Sequence, residues 1–356
     1  MHILYYITAH GYGHGVRAST ICNAFSSNVA LTIRTMLPKS FFDEELRRPF
    51  NYYPGRFDCG CFQRDFVTID MKKTIDTYKE IARANEKALE YEIAWCKEHT
   101  VDGIVGDIPP FAFEVASGAG IPSVAATNFT WYNIYAPFAG PFPDFAPWIE
   151  KIRYQYSLAD LLLEIAAANP MEFFPVRTPM PIVGRKGTNR KAGLAARFGV
   201  SPDKKLGLIY IGEYGMDSRD WKKLERFENW EFFGLYPLPE KVSNYHRIDK
   251  RLIPYQDFPA SADLVISKIG YSTVAECMLN GVPLLYLPRD DFAEHPVLER
   301  AVKKWGHGYH LSPGRYRALD WDDVLARVTQ RKRPVPVDDS GARKCAGEIE
   351  KLIGSH

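Results

Sequence analysis

Apolar runs of strand length alternate with helix signals along most of the chain. His2-Ile3-Leu4-Tyr5-Tyr6-Ile7 opens a strand over 2–8 that runs into a glycine-rich loop, Ala9-His10-Gly11-Tyr12-Gly13-His14, and a helix is expected over about 15–26. Val29 to Thr35 reads as a second strand. An irregular stretch follows through Pro54, Gly55 and Gly60, and 71–99, free of proline and glycine, reads as one long helix. A strand over 101–106 then ends at Asp107, with a short helix from Phe111 to Gly118 and another strand at Ser123-Val124-Ala125-Ala126. Repeated strand–helix–strand units predict an α/β fold with parallel sheets covered by helices on both faces.

The second half repeats this grammar. Leu206 to Ile211 is a strand ending in Gly212-Glu213-Tyr214-Gly215. Ala262 to Ser267 is another, followed by a helix over 271–280 and the strand Leu284-Leu285-Tyr286-Leu287. Gly120-Ile121-Pro122 and Gly281-Val282-Pro283 hold matching places in the two halves. The reading is therefore two Rossmann-like domains in tandem, facing each other across a cleft. The first spans 1–170 and the second 186–335, with a closing helix over 336–356 that packs back on the first. Pro170, Pro175, Pro179 and Pro181 crowd at the junction. Open parallel sheets bind ligands beyond the carboxyl ends of their strands, and every motif below follows a strand.

Composition narrows the class. The 356 residues are 46% hydrophobic and 25% charged, as in ordinary globular domains, and a net charge of +2 gives no reason to expect nucleic acid or an anionic membrane as partner. The aromatic content of 13% suits sugar rings and apolar cores alike. The aromatic and proline-rich segment from Trp131 through Phe138, Phe142, Phe145 and Trp148 reads as packing, an acceptor lid or a peripheral membrane contact. Six scattered cysteines make no disulfide framework, and Cys59-Gly60-Cys61 is too tight for a zinc knuckle. With no basic leader and no apolar window of about 18 residues, a cytoplasmic protein is expected.

Four motifs carry chemistry. Gly11-Tyr12-Gly13-His14-Gly15 lacks the spacing of a dinucleotide loop, but it sets a histidine at a strand–helix turn, where it can take a proton from a hydroxyl or merely cap and pack. Asp107, ending a strand of the same sheet, is placed to orient His14, or to cap the helix at 111–118. Lys268-Ile269-Gly270-Tyr271-Ser272-Thr273-Val274-Ala275-Glu276 suits a phosphate at a helix N-terminus, with Glu276 on ribose hydroxyls; Thr273-x-x-Glu276 is equally a capping box. Asp290-Asp291-Phe292-Ala293-Glu294-His295 places polar groups after a strand, for sugar hydroxyls, a metal ion or plain solvation.

In this order, these motifs resemble the two-domain (GT-B type) nucleotide-sugar glycosyltransferases. The donor-binding signature is matched by 267–276, Gly281-Val282-Pro283 and Pro288. A further resemblance is to the glycosyltransferase-like N-terminal region of plant L-arabinokinase, through His10-Gly11-Tyr12-Gly13-His14 with Arg17, Asp58-Cys59-Gly60, Thr127-Asn128-Phe129-Thr130-Trp131 and Gly270-Tyr271-Ser272-Thr273. It is more distantly similar to the bacterial transferase that adds N-acetylglucosamine to the peptidoglycan lipid intermediate. The resemblance implies a GT-B fold and transfer of a sugar from a nucleoside diphosphate, usually UDP, to a hydroxyl acceptor, with no required cofactor or metal. It makes His14 the general base and Asp107 its partner. Glu276 holds ribose, Gly270, Ser272 and Thr273 meet the diphosphate with Gly13, Gly212, Gly215 and Lys268, and the backbone at Ile253-Pro254 faces the base. Glu294 and His295 stand where relatives read the donor sugar, His295 in place of a glutamine. His10, Arg17, Asp58, Gln63, Asn128 and Trp131 fall on the acceptor side. Many retaining relatives carry two glutamates eight apart; Leu284 stands at that spacing from Glu276, which favours inversion. A nucleotide-sugar epimerase or hydrolase on the same fold, and a non-catalytic nucleotide-sugar-binding protein, are the alternatives.

Overall fold

The computed structural model describes residues 1–64, 68–211, 220–249, 251–289 and 292–356. A first sheet contains β1 (His2–Ile7), β2 (Ala30–Thr35), β3 (Asn51–Pro54), β4 (Gly103–Asp107), β5 (Ser123–Thr127), β6 (Leu161–Ile165) and β7 (Arg177–Met180). A second contains β8 (Lys205–Tyr210), β9 (Trp230–Gly234), β10 (Tyr245–Arg247), β11 (Leu264–Lys268), β12 (Leu284–Leu287) and β13 (Gly308–His310). The orders are β3-β2-β1-β4-β5-β6-β7 and β10-β9-β8-β11-β12-β13. Every pairing is parallel, with Ile7 opposite Asp107 and Lys268 opposite Leu287. The order reverses between β1 and β4 and again between β8 and β11, the two switch points at which such sheets open a crevice. Ile3 to Ile7 are buried throughout, because helices cover both faces of the strand.

Three boundaries differ from the sequence reading, each for a physical reason. The helix after β1 spans Tyr12–Cys22, not 15–26, and takes Gly13 and Gly15 into its first turns. Close packing requires those glycines: a Cβ on Gly15 would collide with Phe41 and Leu37, and one on Gly13 with Ser272 of the second domain. The stretch after Thr35, read as irregular, holds a helix, Lys39–Glu45, and the edge strand β3. Only Tyr52 of β3 is even partly buried, so the strand has no apolar alternation to read. β7 pairs with β6, carrying the first sheet past the expected boundary at 170; its Pro179 is tolerated because the strand is an edge.

The last helix, Gly341–Gly354, lies on the first domain. Its Ile353 packs where Gly103 leaves room, and Glu350 accepts a hydrogen bond from the Ser26 N–H at 2.8 Å. Gly341 lies against the backbone of Ile182. The chain therefore crosses between domains twice, at adjacent places. Trp131, Tyr135, Phe138 and Phe145 are buried in an aromatic core of the first domain, so packing accounts for them, and Phe292 of the second domain joins that cluster. No helix among the described residues is long and apolar enough to cross a membrane.

Candidate functional site

The ends of β1 and β4 are neighbours, and the helix that leaves β1 turns its first residues over the end of β4. This brings His14 Nδ1 to 3.0 Å from Asp107 Oδ1. Arg17 Nη2, a donor, also lies 3.2 Å from Nδ1, but the shorter contact is to the carboxylate, which favours the proton on Nδ1 and leaves the Nε2 lone pair free. Among the described residues Nε2 has no hydrogen-bond partner, and the side chain keeps 12% of its surface exposed. Neither capping alternative holds: Gly11 and Pro110 are the cap residues of the two helices, and neither helix has a side-chain cap.

Arg17, one turn beyond His14, makes a fork on the same carboxylate, Nε to Oδ2 at 2.7 Å and Nη2 to Oδ1 at 2.6 Å. Burial pushes the Asp107 carboxyl up, but the Arg17 charge and the hydrogen bonds from Arg17 and His14 outweigh it and leave the group below its ordinary value. Arg17 Nη1 donates to Asn128 Oδ1, and Asn128 Nδ2 donates to Glu294 Oε1 at 2.7 Å. A continuous line of hydrogen bonds thus joins His14, in the first domain, to Glu294, in the second. Arg17 also lies 5.1 Å from the centre of the Tyr271 ring, and Asn169 Nδ2 donates to the Ala293 carbonyl at 2.9 Å.

This closure decides where the acceptor-side residues fall. Arg17, Asp58, Asn128 and Trp131 are all buried. Asp58 accepts from Thr8 Oγ1 at 2.8 Å and from the Trp131 indole at 2.7 Å. These four build the wall behind His14 instead of offering surface to an acceptor. Gln63 stands exposed, in an isolated bridge with Ile69. His10 is held by the turn at Cys59-Gly60-Cys61. The Cys61 N–H donates to its Nδ1 at 3.2 Å, and a Cβ on Gly60, whose φ is +65°, would strike its ring. The cysteine pair thus frames a backbone cradle. Burial, then the charges of His14, Arg289 and Lys268, holds the His10 imidazole down to about 3, so it is neutral and its proton sits on Nε2.

On the second domain, Gly270 caps the Tyr271–Asn280 helix without a side-chain bond, so Thr273 and Glu276 form no capping box. Ser272 and Thr273 lie partly open in the first turn, where unpaired N–H groups collect. Lys268 ends β11. Buried Glu276 is gripped by Arg185, Nε to Oε1 at 2.8 Å, and Arg185 Nη1 reaches Glu45 of the first domain at 2.6 Å. Burial raises the Glu276 carboxyl and Arg185 opposes the rise. Nothing in the sequence marked Arg185, which sits in the proline-rich junction. Beside it opens a cleft of about 1810 Å³, lined from both domains by residues that include Asn23, Glu45, Arg247, Ile253, Pro254 and Tyr255. His295 opens the His295–Trp305 helix directly after Glu294. Gly212, Gly215, Asp290 and Asp291 lie outside the described residues.

Two parallel sheets meeting at their carboxyl ends, with a histidine–aspartate pair on one side and a helix N-terminus on the other, make a GT-B fold. Solved structures bear this out. The calicheamicin glycosyltransferase CalG4 aligns over 99% of this chain and 98% of its own, with a TM-score of 0.64 at 15% identity. UGT89C1 of Arabidopsis thaliana, solved with quercetin, aligns over 99% of this chain and 94% of its own, at 0.62 and 15%. The spinosyn rhamnosyltransferase SpnG, solved with thymidine diphosphate, aligns over 100% of this chain and 96% of its own, at 0.60 and 16%. In sequence the chain is similar to L-arabinokinase of Arabidopsis thaliana, 27% identical over 368 residues that take in 99% of this chain and 34% of that protein. The chain spans about a third of the length of this curated relative. No protein-family model matches it.

Proposed function

We propose that this protein is an inverting glycosyltransferase that moves a sugar from a nucleoside diphosphate, UDP by preference, to a hydroxyl acceptor, with His14 as general base. The observation that carries this reading is the His14–Asp107 pair, set where the two domains' helix N-termini meet around Gly13 and Ser272. The acceptor O–H gives its proton to His14 Nε2. Its oxygen forms a bond to the anomeric carbon from the face opposite the leaving group, and the diphosphate departs with the electron pair of the broken C–O bond. Asp107 holds the ring and balances the imidazolium that forms. The N–H groups at 270–273 and Lys268 receive the diphosphate charge. The base lies in the cleft at Ile253-Pro254, and ribose competes with Arg185 for Glu276. The calicheamicin and spinosyn enzymes are glycosyltransferases by name, which supports the class of reaction.

A thermal-shift panel of nucleoside diphosphates and their sugars tests the reading, because a ligand that binds the folded form raises its melting point. A rise with one base, and sugar transfer with that donor, is expected. No shift with any nucleotide would overturn it, and donor turnover without an acceptor would assign an epimerase or hydrolase instead.

Lys268 gives a pH test. Burial first, and repulsion from Arg289 second, push its ammonium down to about 8. It is charged below that pH and neutral above it. Affinity for the nucleoside diphosphate is expected to fall as pH rises through about 8, by up to about tenfold per unit, in calorimetric titrations. Lys268→Arg should remove the fall. A flat profile for the unaltered protein would mean that Lys268 does not meet the diphosphate.

A further inference from the structure

Arg289 adds positive charge beside Lys268, the cation that ends β11. Arg289, two residues past the end of β12, lies with its guanidinium 4.4 Å from the centre of the Phe292 ring. That ring stacks on His10 of the first domain at 6.0 Å. Among the described residues the buried Arg289 Nε has no hydrogen-bond partner, and neither Arg289 nor Lys268 has an ion pair. The two cations repel each other, and burial adds to the cost.

Three features give Arg289 a role beyond that of one more diphosphate ligand. It lies beside Cys61, in the turn that holds His10, so it reaches the first domain's wall. The imidazole there presents Nε2–H, a donor, because its Nδ1 already accepts from the Cys61 N–H. The nearby carboxylate, Glu294, favours the Arg289 charge but accepts its hydrogen bond from Asn128, with no ion pair to Arg289 among the described residues. A guanidinium and an imidazole N–H set against the same Phe292 ring offer donors to a planar or tetrahedral anion.

We propose that Arg289 and His10 form a second anion subsite, separate from the diphosphate cradle, that reads a carboxylate or phosphate carried by the transferred sugar or by the acceptor. This rests on the glycosyltransferase reading, and it makes Arg289 a specificity-determining residue for an acidic substrate. Calorimetry with the full chain separates the two sources. The first arm compares UDP, UDP-glucose and UDP-glucuronate. The second, with UDP present, compares glucose with glucose 6-phosphate. One charged ligand is expected to bind about tenfold tighter than its neutral counterpart. Arg289→Met should abolish that gain while changing UDP affinity less than about twofold, and Arg289→Lys should restore part of it. The arm that shows the gain names the source. No gain in either arm overturns the subsite. So does a loss of UDP affinity in Arg289→Met as large as the loss for the charged ligand, since Arg289 would then be a diphosphate ligand only. Failure of UDP itself to bind the unaltered protein overturns the glycosyltransferase reading, a result distinct from both.

Discussion

His14→Ala is expected to bind a nucleotide sugar as the unaltered protein does and to transfer the sugar roughly 10²–10⁴-fold more slowly, the usual contribution of a positioned general base. The separation of binding from turnover follows from the geometry. His14 stands on the first domain and bonds to Asp107, while the side chains assigned to the donor stand on the second. Removing the imidazole leaves Arg17 in place on the same carboxylate, so the wall behind the site survives. Asp107→Asn should cost nearly as much, because an amide can present its NH₂ to Nδ1 and turn the ring's proton to Nε2, where it blocks proton acceptance. Single-turnover transfer rates, with donor affinity measured in parallel, check both variants. Unchanged turnover in His14→Ala would sink its assignment as base.

Arg17→Met is expected to destabilise the protein by about 3–5 kcal/mol, the cost of removing one partner from a buried ion pair. Arg17 is 2% exposed and Asp107 fully buried, so water cannot replace the lost fork. The loss also cuts the line to Asn128 and Glu294, so denaturant unfolding should show the two domains coming apart more readily. The pH dependence gives a second check. In the unaltered protein the Asp107 carboxyl lies below its ordinary value of 3.8, so its stabilisation is complete above that pH and is lost as pH falls toward the lower folded value. Without Arg17, only the His14 hydrogen bond and charge still oppose burial, and the group is expected to rise above its unfolded value. Stability contributed at this site then declines as pH increases through that interval. Equal stability and an unaltered pH profile in Arg17→Met would show that the fork contributes little.

How much of this could be read beforehand depended on how local each signal was. The strand–glycine–helix start with His14, the strand ending in Asp107 and the helix after Lys268 each announce themselves within about a dozen residues, and the structure builds all three. The fork of Arg17 onto Asp107 could not be read, because the two are far apart in sequence and an arginine one turn after a histidine is ordinary on a helix. Arg185 was hidden for a related reason: its partners come from both domains, and its own segment has no periodic pattern. β3 and β7 are edge strands, exposed or interrupted by proline, so the apolar pattern that revealed the central strands was missing there. His10 was legible as a loop histidine, but its neutral state comes from burial and from the charges of His14, Arg289 and Lys268, the last two far along the chain.

The chain passes between the domains twice, and the two passages lie side by side where Gly341 meets the backbone of Ile182. A leaf hung on one jamb can swing but cannot slide. Two passages on one line leave rotation about it the motion they hinder least, while shear would strain both. Arg185 stands just past the first passage, and its grip on Glu45 and Glu276 works like a catch close to the hinge pin. The Glu294–Asn128 bond closes the line from His14 between the leaves. A swing that opens the leaves has to break it, so the shut position alone keeps the base tied to the opposite domain.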